Sequence, residues 1–104
     1  MEQTLFFPDW RAKVIFSAAG PQPQVLHEDT KVKVVVVGLE PGGQIPPHPG
    51  DFGVYHFLEG AGQMRVGEQV FDVQAGATVV VPTGATRGMT VRARLAFIAV
   101  RIAG

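Results

Sequence analysis

Cysteine is absent from the 104-residue sequence, which excludes disulfide bonds, thiol nucleophiles and cysteine-ligated metals. An excess of either charge is also lacking, because 9 Lys and Arg balance 9 Asp and Glu. Nucleic acid is therefore not expected as a partner, since phosphate binding requires a cationic excess, and the same balance argues against an electrostatic membrane anchor. A net charge near zero offers little self-repulsion and favours self-association.

Long hydrophobic runs are missing as well. No window approaches the roughly 18 apolar residues that cross a bilayer. The N-terminus carries an acid at Glu2 and no basic start followed by a long apolar stretch, so it does not resemble a secretory signal. We therefore expect a cytoplasmic protein with no membrane partner. No convincing amphipathic helix is found in the sequence, and its length suits one domain.

The chain is instead rich in glycine and proline, with 13 and 8 residues, which separate short β-branched and aromatic runs. Regular turn signals between short strands predict an all-β sandwich or barrel. We expect an N-terminal arm over residues 1–12 and one β-domain over residues 13–104. Strands are predicted near 13–18, 32–40, 53–59, 63–66, 69–73, 77–81, 86–92 and 94–102, with a further short one at Val25–His27.

Some predicted strands are apolar on both faces, most clearly the valines at 34–37 and 79–81. A half-exposed antiparallel sheet would alternate apolar and polar residues, so both faces of these strands should be covered. The expected cover is a second subunit or the N-terminal arm, and we predict a homodimer. Partly exposed valines are the alternative.

Three histidines are the candidates for proton transfer or metal binding. His48 follows Pro46-Pro47 in a proline-stiffened connection, which lowers the entropic cost of aiming a side chain at a cavity. His56 lies in mid-strand, where packing is the simpler interpretation. His27 stands beside Glu28 and Asp29, which favours a surface pairing with an acid.

The stretch from Gly42 to Gly84 resembles the cupin family. Gly42 is followed by five residues and then by His48, as in the first cupin motif. The family's Leu-Glu-Gly turn has its counterpart at 58–60, and the second motif has Gly76, five residues, and Pro82-Thr83-Gly84. The resemblance implies an antiparallel double-stranded β-helix, or jelly-roll barrel, in a single domain.

Cupins usually hold a divalent metal through two histidines and a glutamate of the first motif and a histidine of the second. Carried over by position, His48 is the first ligand, whereas the others fall on Gly50, Gly53 (or Val54) and Arg87. Glycine has no donor atom, and arginine stays protonated. One imidazole does not hold a divalent ion tightly, so no metal cofactor is expected.

A relocated metal site is the alternative. His48, Asp51 and His56 together would form a ligand set for Fe, Mn, Ni or Zn. Strand alternation argues against it, because Gly53 pointing inward carries Tyr55 inward and His56 outward. A β-bulge in this strand would reverse that argument.

Arg87 reverses the local charge, because a cation stands where the family has a cation ligand. A metal-free cavity with Arg87 and His48 would favour an anion, and Tyr55 would add a hydroxyl group. The competing interpretation is structural: an ion pair of Arg87 with Asp51 or Glu59 that closes the barrel.

The sequence thus predicts a small cupin that binds a small anionic molecule through His48, Tyr55 and Arg87. If the protein is an enzyme, His48 would move the proton in a metal-free isomerase or lyase reaction, with Arg87 stabilising negative charge. One alternative is a metal-dependent dioxygenase, isomerase or decarboxylase. Another is a non-catalytic sensor or interaction module.

Overall fold

Seven antiparallel β-strands account for most of residues 4–104, the part of the chain that this computed structural model describes. A short 3-10 helix, Trp10–Ala12, precedes them, and the Asp9 carboxylate caps it by accepting the Arg11 amide at 3.0 Å. Among the described residues, no helix has the length and apolar character needed to cross a membrane. The strands are β1 (Gln24–Glu28), β2 (Val32–Leu39), β3 (Gln44–His48), β4 (Phe52–Val66), β5 (Gln69–Gln74), β6 (Thr78–Val81) and β7 (Arg87–Ile102).

Two long strands organise the sheet. Strand β7 pairs with β2, β3 and β4, and β4 pairs with β5, β6 and β7. The main path runs β1-β2-β7-β4-β5, with β3 added to β7 and β6 added to β4. Since every pairing is antiparallel, the predicted all-β antiparallel fold is confirmed.

Strand alternation sends aromatic side chains to the core. Tyr55 and Phe57 are buried, whereas His56 between them is exposed, as the predicted alternation requires. The Phe97 ring lies between them, with its centroid 6.0 Å from that of Tyr55 and 5.6 Å from that of Phe57. Two members of this cluster, Tyr55 and Phe97, line the cavity described below.

The strand predicted at 13–18 is wrong, because these residues form no strand and the first begins at Gln24. The segment packs through its side chains instead: the Phe16 ring lies against Gly38 of β2, where a Cβ atom would approach Phe16 Cδ1 to 2.7 Å. The Arg94 guanidinium stacks 3.7 Å from the centroid of the Phe16 ring and bonds Glu40 at 2.8 Å. The 13–18 segment therefore covers part of the outer face of β2.

The proline-rich connection predicted before His48 is a strand, β3, so that prediction is also wrong. Pro46 and Pro47 lack amide donors, but β3 pairs only with β7 and its register shifts between Ile45 and His48. Prolines are accommodated at such edge positions and bulges, where the missing donor costs no ladder bond.

Two of the breaks predicted between strands are absent, because the chain continues as one strand at each. The strands at 53–59 and 63–66 are one strand, β4, and those at 86–92 and 94–102 are one strand, β7. Gly60 was expected in a turn, yet it lies inside β4 with φ +87°, where the register with β7 shifts repeatedly. The glycine marks a bulge that bends a continuous strand rather than a turn that ends one.

Candidate functional site

A cavity of about 290 Å³ lies against the aromatic cluster and contains all three predicted ligand contacts. Its wall is mainly apolar, with valines, Ile45, Met89 and Phe97. Its charged or titratable side chains are two arginines, one histidine and one tyrosine, and no carboxylate lines it within residues 4–104. The lining residues are Pro21, Pro23, Val35, Val37, Ile45, His48, Tyr55, Arg87, Gly88, Met89, Phe97, Ala99 and Arg101.

Arg87 is the one charged residue among the described residues that is buried, with 2% of its surface exposed. Its guanidinium donates to main-chain carbonyl oxygens: Nη1 to Asp51 at 2.6 Å, Nη2 to Gly50 at 3.0 Å, and both Nε and Nη2 to Ala85 at 3.1 and 2.9 Å. A longer contact joins Nη2 to the Pro82 carbonyl at 3.5 Å. The side chain thus ties the loop before β4 to the loop before β7.

Neither ion pair considered for Arg87 forms. The contact with Asp51 uses its main-chain oxygen and not its carboxylate. Glu59 lies 3.6 Å from Arg11 of the N-terminal arm. The positive charge of Arg87 is therefore solvated by neutral dipoles, and no carboxylate of the described residues neutralises it.

Tyr55 receives the remaining Arg87 hydrogen bond, from Nη1 to its hydroxyl oxygen at 3.4 Å. The phenol is buried on the inner face of β4 and lines the cavity. Because its oxygen accepts from a cation, its own proton is free to be donated elsewhere. No acceptor for that proton lies within hydrogen-bonding distance among the described residues.

His48 closes β3 at the rim of the cavity, where its side chain is exposed. Its Nδ1 lies 3.0 Å from the Pro46 carbonyl oxygen. A carbonyl oxygen can only accept, so Nδ1 carries the proton, and Nε2 of the neutral ring keeps a lone pair. This tautomer makes Nε2 the basic nitrogen of His48.

Asp51 and His56 do not join His48. The His56 ring lies on the outer face of β4, where Nδ1 is 2.7 Å from the Thr78 hydroxyl oxygen. Asp51 is exposed and does not line the cavity. Across residues 4–104, no three His, Asp or Glu side chains are grouped so that they could share a metal ion. The relocated ligand set is therefore not brought together.

His27 pairs with an acid, as its position suggested. Its Nε2 is 2.9 Å from Oδ2 of Asp29, on the surface. Oδ1 of Asp29 accepts the amides of Lys31 and Val32 at 2.8 Å each. The bond from His27 and then these two amides stabilise the carboxylate and lower the pKa of Asp29 from 3.8 to about 2. This arrangement shapes the turn between β1 and β2.

The cavity residues that the sequence reasoning missed include Arg101, Pro21 and Pro23. Arg101 stands at the end of an apolar strand and resembles a solvent-facing terminal charge. The prolines belong to the segment between the arm and β1, which has no periodic pattern. Strand alternation from Phe97 and Ala99 is the one signal that could have identified Arg101 as inward-facing.

The fold and the sequence together identify the class of protein. The cupin domain family matches residues 35–100, more than half of the chain, so the protein belongs to the cupin family. None of the functionally curated proteins matches it with significance.

Solved structures agree on the double-stranded β-helix. A protein with this domain from Klebsiella pneumoniae is 23% identical, with a TM-score of 0.83, and the match covers 97% of this chain and 90% of that one. An RmlC-like cupin from Shewanella frigidimarina is 19% identical, with a TM-score of 0.80 and coverage of 100% and 96%. A protein described as a predicted oxalate decarboxylase from Thermotoga maritima is 21% identical, with a TM-score of 0.74 and coverage of 79% of each chain. At these identities the likeness shows the fold.

The residues present do not fit the metal that cupins usually hold. Of the four ligand positions, His48 alone offers a donor. A Cβ atom at Gly50 would lie 3.4 Å from Arg87 Cζ, and one at Gly53 would lie 3.1 Å from Arg87 Nη1 and 2.8 Å from Tyr55 Cε1. A Cβ atom at Gly50 would thus be in ordinary contact with the guanidinium, whereas one at Gly53 would crowd both the Tyr55 ring and Arg87 Nη1.

Proposed function

We propose that this cupin binds a small anionic molecule in its cavity without a tightly held metal. The observation that carries the proposal is the buried Arg87 charge beside a cavity that no carboxylate lines within the described chain. An anion in the cavity would provide the counter-charge in a region of low dielectric, where charge interactions are stronger than in water. The volume is at the small end of the range for ligand pockets.

Tyr55 is the group through which Arg87 acts on a ligand in this proposal. The guanidinium donors are taken by carbonyl oxygens, whereas the Tyr55 hydroxyl proton has no partner among residues 4–104. Donation from Arg87 to the phenol oxygen makes the phenol a stronger donor, because successive hydrogen bonds polarise one another. The arginine positions and polarises the tyrosine, and the tyrosine contacts the anion.

His48 gives the same site a route to chemistry. With Nδ1 bonded to the Pro46 carbonyl oxygen, Nε2 is the nitrogen available to take a proton from a bound molecule. Negative charge left on the substrate would be stabilised by the Tyr55 donor and the Arg87 field. A proton-transfer isomerase or a lyase is the reaction class that these three groups support.

Thermal unfolding with added anions tests the binding proposal. We expect small carboxylates or phosphates to raise Tm, and uncharged molecules of the same shape to leave it unchanged, because a ligand that binds only the folded state stabilises it. Tyr55→Phe should weaken binding about tenfold, since it removes one charge-assisted hydrogen bond.

The matched controls are two histidine variants. His48→Gln alters the cavity rim, whereas His56→Gln alters an equally exposed histidine on the outer face of β4. Binding unchanged in His56→Gln and altered in His48→Gln would support the site. A protein that no anion stabilises, or one stabilised equally by neutral molecules, would contradict the proposal.

We also propose a homodimer, tested by the mass in solution. The 13–18 segment already covers part of the outer face of β2, yet Val25 and Val80 remain 52% and 58% exposed on β1 and β6. Exposed valines on strand faces favour burial against a second copy. Light scattering at micromolar concentration should give about twice 11.1 kDa. A monomer at that concentration would show that these valines stay in contact with water.

A further inference from the structure

We infer that Arg101 contacts the bound anion alongside Tyr55 and that this ligand is a carboxylate with a small apolar body. This inference rests on the proposed function and names the chemistry of its ligand. Arg101 lines the cavity together with Arg87, although the two lie at opposite ends of β7.

The strand register brings Arg101 to the same place as Arg87. Arg101 pairs with Gly53 of β4, and a Cβ atom on Gly53 would lie 3.1 Å from Nη1 of Arg87. Directly opposite residues in an antiparallel pair have side chains on the same face. The alternation that turns Phe97 and Ala99 inward also turns Arg101 inward. Two positive side chains therefore border one cavity.

Unlike Arg87, Arg101 has unused donors. Within residues 4–104, its guanidinium makes no hydrogen bond and no ion pair. Its cross-strand neighbours are Gly53, which has no side chain, and Lys33, which is itself a cation and lies 3.8 Å from Glu28. Arg101 is partly buried, so leaving it unpaired has a cost that a bound anion would offset.

Acidic residues share a second cleft with Arg101. This smaller cleft of about 150 Å³ is lined by Glu28, Asp29 and Asp51 as well as Arg101. Glu28 is paired with Lys33 and Asp29 with His27, so Asp51 is the remaining candidate. An ion pair of Arg101 with Asp51 is thus the rival explanation, and the experiment must separate it from ligand binding.

The wall of the cavity selects the ligand. Val35, Ile45, Met89 and Phe97 offer no polar group to a sugar or to the oxygens of a nucleotide. A guanidinium binds a carboxylate through two parallel hydrogen bonds, and the apolar side chains suit a hydrocarbon or aromatic body. The volume of about 290 Å³ is at the small end of the range for ligand pockets, which suits a small organic acid.

Isothermal titration with butyrate, benzoate and their amides, and with inorganic phosphate, tests the inference on the full chain. We expect a carboxylate to bind the wild type and its amide to bind at least tenfold more weakly. Arg101→Gln should lose at least tenfold in affinity for the carboxylate, and Arg101→Lys should recover part of it. Arg92→Gln, an exposed arginine of the same strand outside the cavity, is the matched control and should bind as the wild type does.

The outcomes are distinct. If a carboxylate binds equally well to the wild type and Arg101→Gln, this inference is overturned while the proposed function stands. Preference for phosphate over every carboxylate also overturns it. If Arg101→Gln and Asp51→Asn lose equal stability while the affinity for the carboxylate is unchanged, Arg101 forms an ion pair with Asp51 and this inference is overturned. A wild-type protein that binds no anion at all overturns the proposed function together with the inference.

Discussion

Replacing Arg87 by methionine is expected to lower the free energy of unfolding by about 3–5 kcal/mol. Methionine fills a similar length but donates no hydrogen bond. The carbonyl oxygens of Gly50, Asp51 and Ala85 would then lose the donors that link two loops, and each unsatisfied buried acceptor costs about 1–3 kcal/mol. Partial access of water to these oxygens sets the lower end of the range.

Urea denaturation of the variant measures this loss, and Tm should fall by about 15–25 °C. Arg92→Met is the control, because Arg92 is exposed on the same strand and its replacement should change stability by less than about 0.5 kcal/mol. A loss below about 1 kcal/mol for Arg87→Met would show that the guanidinium does not hold the loops together, and its role would have to lie in the cavity.

The second large effect is expected at Gly60, where alanine should destabilise the protein by more than about 4 kcal/mol or prevent folding. Gly60 has φ +87°, which L residues rarely adopt. A Cβ atom there would also collide with the Arg94 carbonyl oxygen of β7. The position of a Cβ atom is fixed by the main chain of β4, and the Arg94 oxygen belongs to the main chain of β7. The collision can therefore be relieved only by separating the two longest strands.

Gly67→Ala separates these two causes. Gly67 also has positive φ, +58°, but a Cβ atom there would meet nothing within 4 Å. Its replacement should lower the free energy of unfolding by only the cost of placing an L residue at positive φ, about 1–2 kcal/mol. Circular dichroism melts of both variants give the comparison. If Gly60→Ala lowers the free energy of unfolding no more than Gly67→Ala does, the close approach of β4 and β7 at the bulge is wrong.

The inner face of β4 could be predicted from the sequence because alternation is a local rule. Gly53, Tyr55 and Phe57 face inward and His56 faces outward, as that rule requires. The all-β class followed from the spacing of turn residues, and the antiparallel jelly-roll arrangement followed from the cupin resemblance. The burial of Arg87 followed from the cupin resemblance, which located its position relative to the motif glycines.

The use of the Arg87 donors could not be predicted, because it depends on where two loops place their main-chain oxygens. Arg101 was missed for a related reason: its proximity to Gly53 depends on the register between β4 and β7, which no local pattern encodes. The segment before His48 was wrongly predicted to be a connection because proline is excluded from central strands. That exclusion does not extend to β3, which has a single neighbouring strand. The false strand at 13–18 has β-like residues that contribute packing rather than pairing.

Pro21 and Pro23 extend the wall of the cavity beyond the β-strands. Pro21 and Pro23 belong to the segment that joins the Phe16 anchor to β1, so part of the ligand compartment comes from residues that precede the first strand. A shortened protein starting at Gln24 would keep every strand of the sheet, but its cavity would lack the part of the wall that Pro21 and Pro23 form. Recognition of the proposed ligand would therefore draw on more of the polypeptide than the β-strands alone.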